Sequence, residues 1–141
     1  MQVLLEIVGT QRIDEMKDKI ELTTVGFLEE SENEYTVKYS EEQEGNTPAV
    51  DVCVVISKEK PLVTMTRSGA FDSRLVIEGS KRNLCHYGSE YGDILMGISG
   101  HSISAEFDGR KGEFVFFYDI DINGALASRN SLTMGVKRCQ N

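Results

Sequence analysis

The chain has 141 residues, of which 40% are hydrophobic, and it carries 15 Lys and Arg against 23 Asp and Glu, a formal charge of −8. A domain typically has roughly 100–200 residues, so residues 1–141 are predicted to form one domain that folds without a metal or a disulfide. The acidic balance argues against nucleic-acid and membrane partners, because both kinds of binding depend on basic groups.

The first residues give no indication of export. They read MQVLLEIVG, without a basic stretch, and Glu6 interrupts the apolar run, so no secretory signal is predicted. No segment approaches the roughly 18 apolar residues of a membrane-spanning helix. Cys53, Cys85 and Cys139 form no Cys-x-x-Cys pair, and the histidines complete no zinc pattern. We therefore expect a cytoplasmic protein with reduced thiols and no metal.

Apolar and polar residues alternate with a period of two along the chain, which is typical of β-strands with one buried face. In chain order, the alternating runs cover residues 3–8, 20–28, 35–40, 50–56, 63–66, 74–78, 94–99, 103–108 and 113–122. Turn signals separate them, among them residues 44–46, 57–61, 78–80, 99–100, 108–109 and 123–124. Residues 13–19 could hold one helical turn, with a long loop as the equal alternative.

About ten short strands with one apolar face must curl around to bury that face. The predicted fold class is therefore all-β, a single antiparallel meander β-barrel. A two-sheet sandwich satisfies the same alternation. We prefer the barrel because short hairpins connect successive strands, without the long crossings of a Greek key, and because closure removes exposed edges.

The last hairpin has two alternative registers around residues 123–124. A two-residue turn sets Ile122 opposite Ala125, whereas a three-residue loop with a bulge at the glycine sets Ile120 opposite Leu126. We choose the three-residue loop because it buries more apolar side chains.

That register points three polar side chains inward, Tyr118, Ser128 and Asn130. Arg67 lies on the apolar face of its strand and is expected inside the barrel near one rim. An inward guanidinium needs acceptors, because an unpaired buried polar group costs about 1–3 kcal/mol. Two alternatives supply these acceptors. In the first, Arg67 holds the carboxylate or phosphate of a ligand, and Tyr118 and Asn130 complete the site. In the second, Arg67 bonds internally to a glutamate or to backbone carbonyls and plugs the barrel end.

Two further residues complete the predicted ligand-binding set. Tyr39 is expected to line the lumen, and His86 shares with Leu84 a face that we expect to point inward. His101, in the predicted turn after Gly100, is a second histidine that could act as a ligand or a general base. No base and nucleophile can be paired, and no serine elbow, phosphate loop or dinucleotide fingerprint occurs, so we assign no catalytic residue and no cofactor.

Several residues form an ordered set along nearly the whole chain. They are Gln11, Thr24-Val25-Gly26, Tyr35, Tyr39-Ser40-Glu41, Arg67-Ser68-Gly69, Tyr87, Tyr91-Gly92, Tyr118, Asn123-Gly124 and Ser128-Arg129-Asn130-Ser131-Leu132. The set resembles the YwiB-like family of small bacterial proteins of unknown function. The resemblance implies a calycin-like barrel, similar in architecture to lipocalins and fatty-acid-binding proteins, in a cytosolic bacterial protein. It implies no activity, and the chain departs from the family pattern at His86 and Ser89-Glu90.

Three functions fit these features. The first is non-enzymatic binding of a small amphipathic or anionic ligand in the barrel lumen. The second is a protein-interaction module with a filled barrel, which uses either an acidic docking surface in residues 29–44 or an exposed apolar strand, as the outward residues Phe27, Val55 and Phe117 indicate. The third is a hydrolase or isomerase that uses one of the two histidines. We choose the first, a protein that is not an enzyme; the ligand and the oligomeric state stay open.

Overall fold

The computed structural model describes residues 1–42, 48–69, 72–89 and 92–139. These residues form ten strands, namely β1 (Gln2–Ile13), β2 (Met16–Glu30), β3 (Glu34–Glu41), β4 (Val50–Ser57), β5 (Leu62–Ser68), β6 (Ser73–Glu78), β7 (Arg82–Ser89), β8 (Gly92–Phe107), β9 (Lys111–Ile122) and β10 (Ala125–Arg138). Within these ranges no helix is long and apolar enough to span a membrane.

The strands form one closed antiparallel meander. Each strand pairs with the next along the chain, and β10 pairs with β1, so the order around the barrel is β1-β10-β9-β8-β7-β6-β5-β4-β3-β2. The predicted all-β barrel is confirmed. The contact between β6 and β7 is the shortest, with Ser73 and Tyr87 as the one pair of Cα partners among the described residues.

Residues 13–19 belong to a β-hairpin, so both the helical turn and the long loop predicted there are wrong. β1 and β2 stay paired up to Ile13 and Met16. Asp14 takes a φ of 53° in the tight turn between them. Aspartate tolerates this left-handed conformation better than most residues, which allows a turn without glycine.

The predicted turn at residues 99–100 is also wrong, because β8 runs through it as one long strand. The register with β9 shifts between Gly100 and Ser102, which leaves His101 as a bulge. A Cβ atom on Gly100 would clash with the carbonyl oxygen of Glu78. The glycine therefore serves close contact between β6 and β8 rather than a turn.

The last hairpin contains the rejected two-residue turn, followed by a register shift opposite in direction to the predicted one. Ile122 pairs with Ala125, so the three-residue loop is wrong, and residues 123–124 have positive φ values of 55° and 86°. This matches a two-residue type I′ turn. The register then shifts by one between Leu126 and Ser128. Ile120 therefore faces Ser128, and the predicted pairing with Leu126 is wrong. Because the two positions differ by two residues, the inward direction predicted for residue 128 and beyond still holds.

The interior of the barrel is an apolar core built from alternate residues of the strands. The fully buried side chains are Val3, Leu5, Leu28, Val37, Val54, Ile56, Val63, Ile77, Ile98, Phe114, Phe116 and Met134. Among the described residues, Ser128 is the one polar residue that is buried, at 3% exposure. The buried part of the described barrel is therefore almost entirely apolar.

Candidate functional site

Arg67 lies at the end of the barrel, one residue before the end of β5. Its side chain is 43% exposed, so the guanidinium sits at the rim and not deep in the lumen. One Nη2 hydrogen-bonds to Oε1 of Glu41, the last residue of β3, at 3.2 Å. Glu41 was not predicted as the partner. Glu41 lies two residues after Tyr39, which places both side chains on the inward face of β3. This spacing could have identified Glu41 as the partner of Arg67.

Two tyrosines flank this ion pair. Tyr39 is 6% exposed and interacts with both Glu41 and Arg67. Burial, reinforced by the charge of Glu41 and opposed by Arg67, raises the pKa of Tyr39 to about 12. Burial also raises the pKa of Tyr118, against the opposing charge of Arg67. Both phenols therefore stay protonated at neutral pH, and the hydroxyl of Tyr39 donates its hydrogen bond to the Glu41 carboxylate.

The guanidinium keeps its charge and has donors to spare. Burial disfavours the charge of Arg67, but the combined effect of Glu41, Tyr39 and Tyr118 outweighs it, and the pKa of the guanidinium lies above its ordinary value. A guanidinium has five N–H donors. In the described part of the chain its side-chain partners are Glu41 and the phenols beside it. We call the four residues Tyr39, Glu41, Arg67 and Tyr118 the arginine end.

Ser128 and Asn130 form a local network on the wall next to Tyr118. Asn130 is the direct cross-strand partner of Tyr118. Its Nδ2 donates to Oγ of Ser128 at 3.0 Å and to the backbone oxygen of Tyr118 at 3.5 Å. The predicted grouping of these three residues is therefore present. Of these three residues, Tyr118 is the one whose side chain interacts electrostatically with the Arg67 guanidinium.

The predicted inward direction of His86 is wrong, because the side chain is exposed on the outer face of β7. Leu84 shares that outer face and is 60% exposed, whereas Cys85 between them is buried at 8% exposure. A strand offers alternate residues to one face, and here the thiol takes the inward position. His86 therefore does not join the arginine end.

His101 also lies on the outside. Its Nε2 is 2.8 Å from Oδ2 of Asp119, and its side chain is 56% exposed. Among the described residues, no three or more His, Cys, Asp or Glu side chains are grouped as a metal site. Because the side chains of His86 and His101 are both exposed on the outside, neither histidine reaches the barrel interior.

Aromatic rings pack against one another at the opposite end of the barrel. Tyr35 packs on Phe114 with ring centroids 5.1 Å apart and meets Phe107 edge-on at 6.4 Å. The Lys58 ammonium lies 4.6 Å from the centre of the Tyr35 ring and pairs with Glu30. We call Tyr35, Lys58, Phe107 and Phe114 the aromatic end.

A groove of about 710 Å³ runs along the outer wall formed by β2 to β5. Phe27, which is 56% exposed, contributes to it together with Lys38 and Asp51. The predicted exposure of Phe27 and Phe117 is confirmed, while Val55 is half-buried. Residues 43–44 of the acidic segment and residues 90–91 of the family set lie outside the described residues.

Comparison with known proteins gives a family and a fold. A family model described as a domain of unknown function, DUF1934, matches residues 5–134. The crystal structure of the ywiB protein from Bacillus subtilis matches with a TM-score of 0.84 at 22% identity, over 99% of this chain and 92% of that chain. At this identity the likeness shows the fold alone. No curated protein matches the sequence.

Proposed function

This chain belongs to the DUF1934 family of domains of unknown function, and we propose that it binds a small anionic or amphipathic molecule at the arginine end, without catalysing a reaction. The observation that supports this proposal is a charged, partly exposed guanidinium between two protonated phenols. These groups are hydrogen-bond donors, and they lie at the end of the barrel beside the apolar core.

The anionic head of the ligand would take the unused donors of Arg67. A carboxylate or phosphate fits the fork of a guanidinium, and the hydroxyl of the protonated Tyr118 is a further donor beside it. Toward the core, the next inward side chains on β5 and β6 are Met65 and Leu75, which are cross-strand partners. An apolar tail on the ligand would contact these two residues.

Glu41 sets the selectivity of this proposed site. The Glu41 carboxylate holds the guanidinium in place, but its negative charge also repels an anionic ligand that binds the N–H donors of Arg67. Removing only its charge should therefore strengthen the binding of an anion, whereas removing the charge of Arg67 should weaken it. A structural plug with no ligand gives neither response.

The test uses anilinonaphthalene sulfonate, an amphipathic anion whose fluorescence rises when it binds apolar surface. Wild type is compared with Arg67→Gln, Glu41→Gln and the control Arg74→Gln, an exposed arginine on β6. We expect about tenfold weaker binding for Arg67→Gln, since a charge-assisted bond contributes about 1.5–3 kcal/mol. Glu41→Gln should bind several-fold more tightly, and Arg74→Gln should match wild type within about twofold.

Equal affinity of wild type and Arg67→Gln contradicts the proposal, and so does an absence of binding to wild type. Native mass spectrometry of the protein purified from its own host is the second measurement. It should show a retained mass of a few hundred daltons that Arg67→Gln loses.

A second candidate function is protein interaction, and the groove on β2 to β5 favours it. Its exposed Phe27 ring offers an apolar contact beside charged residues. In a pull-down from host lysate, Phe27→Ser should lose a partner that wild type and the control Phe117→Ser both retain. The same proteins recovered with all three baits would count against this function.

A further inference from the structure

Three basic side chains stand side by side on the outer wall of the barrel. Arg12 on β1 is the direct cross-strand partner of Arg129 on β10 and of Lys17 on β2. All three residues are exposed. Like charges directly opposite one another destabilise a sheet. This basic row (Arg12, Lys17 and Arg129) is therefore unfavourable by itself, and it stands out in a chain with a net charge of −8.

No carboxylate pairs with the basic row within the described ranges. Asp119 is the cross-strand partner of Arg129, but its Oδ2 contacts the His101 ring at 2.8 Å. The acidic turn residues 14–15 also form no ion pair with the row. The row thus presents positive charge to an anion from outside the protein.

A shallow cavity of about 280 Å³ lies beside the row and supplies the remaining contacts. Besides the three cations, Thr10, Phe117, Asn130 and Ser131 line it. Ser131 is the cross-strand partner of both Thr10 and Phe117, so two hydroxyls and one ring form a second row next to the cations. The Phe117 ring is 47% exposed.

We propose that this cavity binds a small molecule that carries a phosphate monoester on a flat aromatic ring system, as a nucleoside monophosphate does. The two guanidinium groups fork onto phosphate oxygens, and Lys17 and the hydroxyls donate to those that remain. The flat ring stacks on Phe117. This site lies on the outer wall and is independent of the ligand proposed for the arginine end.

Size and charge favour a mononucleotide over a nucleic-acid strand. The cavity volume is close to the lower limit of small-molecule sites, about 300 Å³. A nucleic-acid strand would extend beyond the three cations of the basic row onto the rest of the surface. That surface is acidic overall, so it would repel the additional phosphates.

The chain provides a matched control in a second pair of facing cations, Lys111 and Lys137. Around Lys111 the wall also carries acidic residues, because Glu106, Asp108 and Glu113 line the cavity beside it. The double variant Lys111→Gln/Lys137→Gln removes the same charge as Arg12→Gln/Arg129→Gln, but away from the proposed site.

The experiment is calorimetric titration at low ionic strength with adenosine monophosphate, adenosine and inorganic phosphate. Wild type should bind the monophosphate at least tenfold more tightly than either fragment. Arg12→Gln/Arg129→Gln should weaken this binding at least tenfold, and the lysine control should stay within twofold of wild type. Phe117→Ser should reduce the preference for the monophosphate over inorganic phosphate to less than threefold.

Three results would overturn the proposal. These are no binding of the monophosphate, equal binding by Arg12→Gln/Arg129→Gln, and tighter binding of single-stranded oligonucleotides that grows with their length. Urea unfolding checks that each variant folds. If the double arginine variant does not fold, Lys17→Gln replaces it, with an expected loss of at least threefold and equal binding as the contradicting result. Arg67→Gln should keep full affinity for the monophosphate, which separates this site from the arginine end.

Discussion

The two ends of the barrel carry different side chains at the inward positions of their strands, aromatic rings at one end and an ion pair at the other. At the aromatic end, Tyr35 and Phe114 make ring contacts at 5.1 Å, and Phe114 is fully buried. At the arginine end, an ion pair at 3.2 Å leaves the Arg67 side chain 43% exposed. Ring packing stabilises the fold, whereas a partly exposed ion pair contributes little. The comparison indicates that ring packing at one end contributes to stability, whereas the other end leaves a charged group partly exposed, as the proposed binding requires.

The largest expected effect is at the aromatic end. Phe114→Ala should lower the free energy of unfolding by about 3–5 kcal/mol, because it removes a fully buried ring and leaves a cavity. Arg67→Gln should cost about 1 kcal/mol or less. Urea unfolding followed by circular dichroism measures both. A cost for Arg67→Gln as large as that for Phe114→Ala would show that the two ends are equally structural.

The next effect is a loss of stability at high pH that originates at the arginine end. The pKa of Tyr39 is raised to about 12 in the folded protein, against about 10 for an unperturbed tyrosine. Its stabilising contribution is therefore complete below about pH 10 and is lost as pH rises to about 12. The loss amounts to about 3 kcal/mol, and Tyr39→Phe should remove it. An equally steep fall in both proteins, measured by urea unfolding across this range, would refute the assignment to Tyr39.

The smallest effect is the coupling between Arg67 and Glu41. A double-mutant cycle with Arg67→Gln and Glu41→Gln should give a coupling of about 0.2–1 kcal/mol that decreases with added salt. A coupling above about 3 kcal/mol, insensitive to salt, would instead indicate a buried pair that closes this end.

Much of the barrel follows from local sequence, because alternation with a period of two is a property of each strand alone. The predictions were wrong at positions whose structure is determined by contacts between strands. Gly100 reads as a turn, yet close contact with Glu78 explains the glycine. In β7, both Cys85 and the residues beside it could face inward, and packing inside the barrel selected the thiol.

The candidate site was predictable in part for the same reason. Tyr118, Ser128 and Asn130 share the predicted inward face, although the bulge before Ser128 shifts the register in the direction opposite to the shift expected from a longer loop. The ion partner of Arg67 comes from β3, two strands away around the barrel. A contact across a closed sheet depends on strand order and register, which a single strand does not encode.

The most direct test of binding at the arginine end is a nitrogen-15 NMR titration with anilinonaphthalene sulfonate. The side-chain Nε–H signal of Arg67 and the backbone signals of Tyr39 and Tyr118 should shift in a saturable way. The backbone signals of Tyr35 and Phe114 at the aromatic end should stay in place. Saturable shifts confined to the aromatic end or the outer wall, with the Arg67 signal unmoved, would contradict binding at the arginine end.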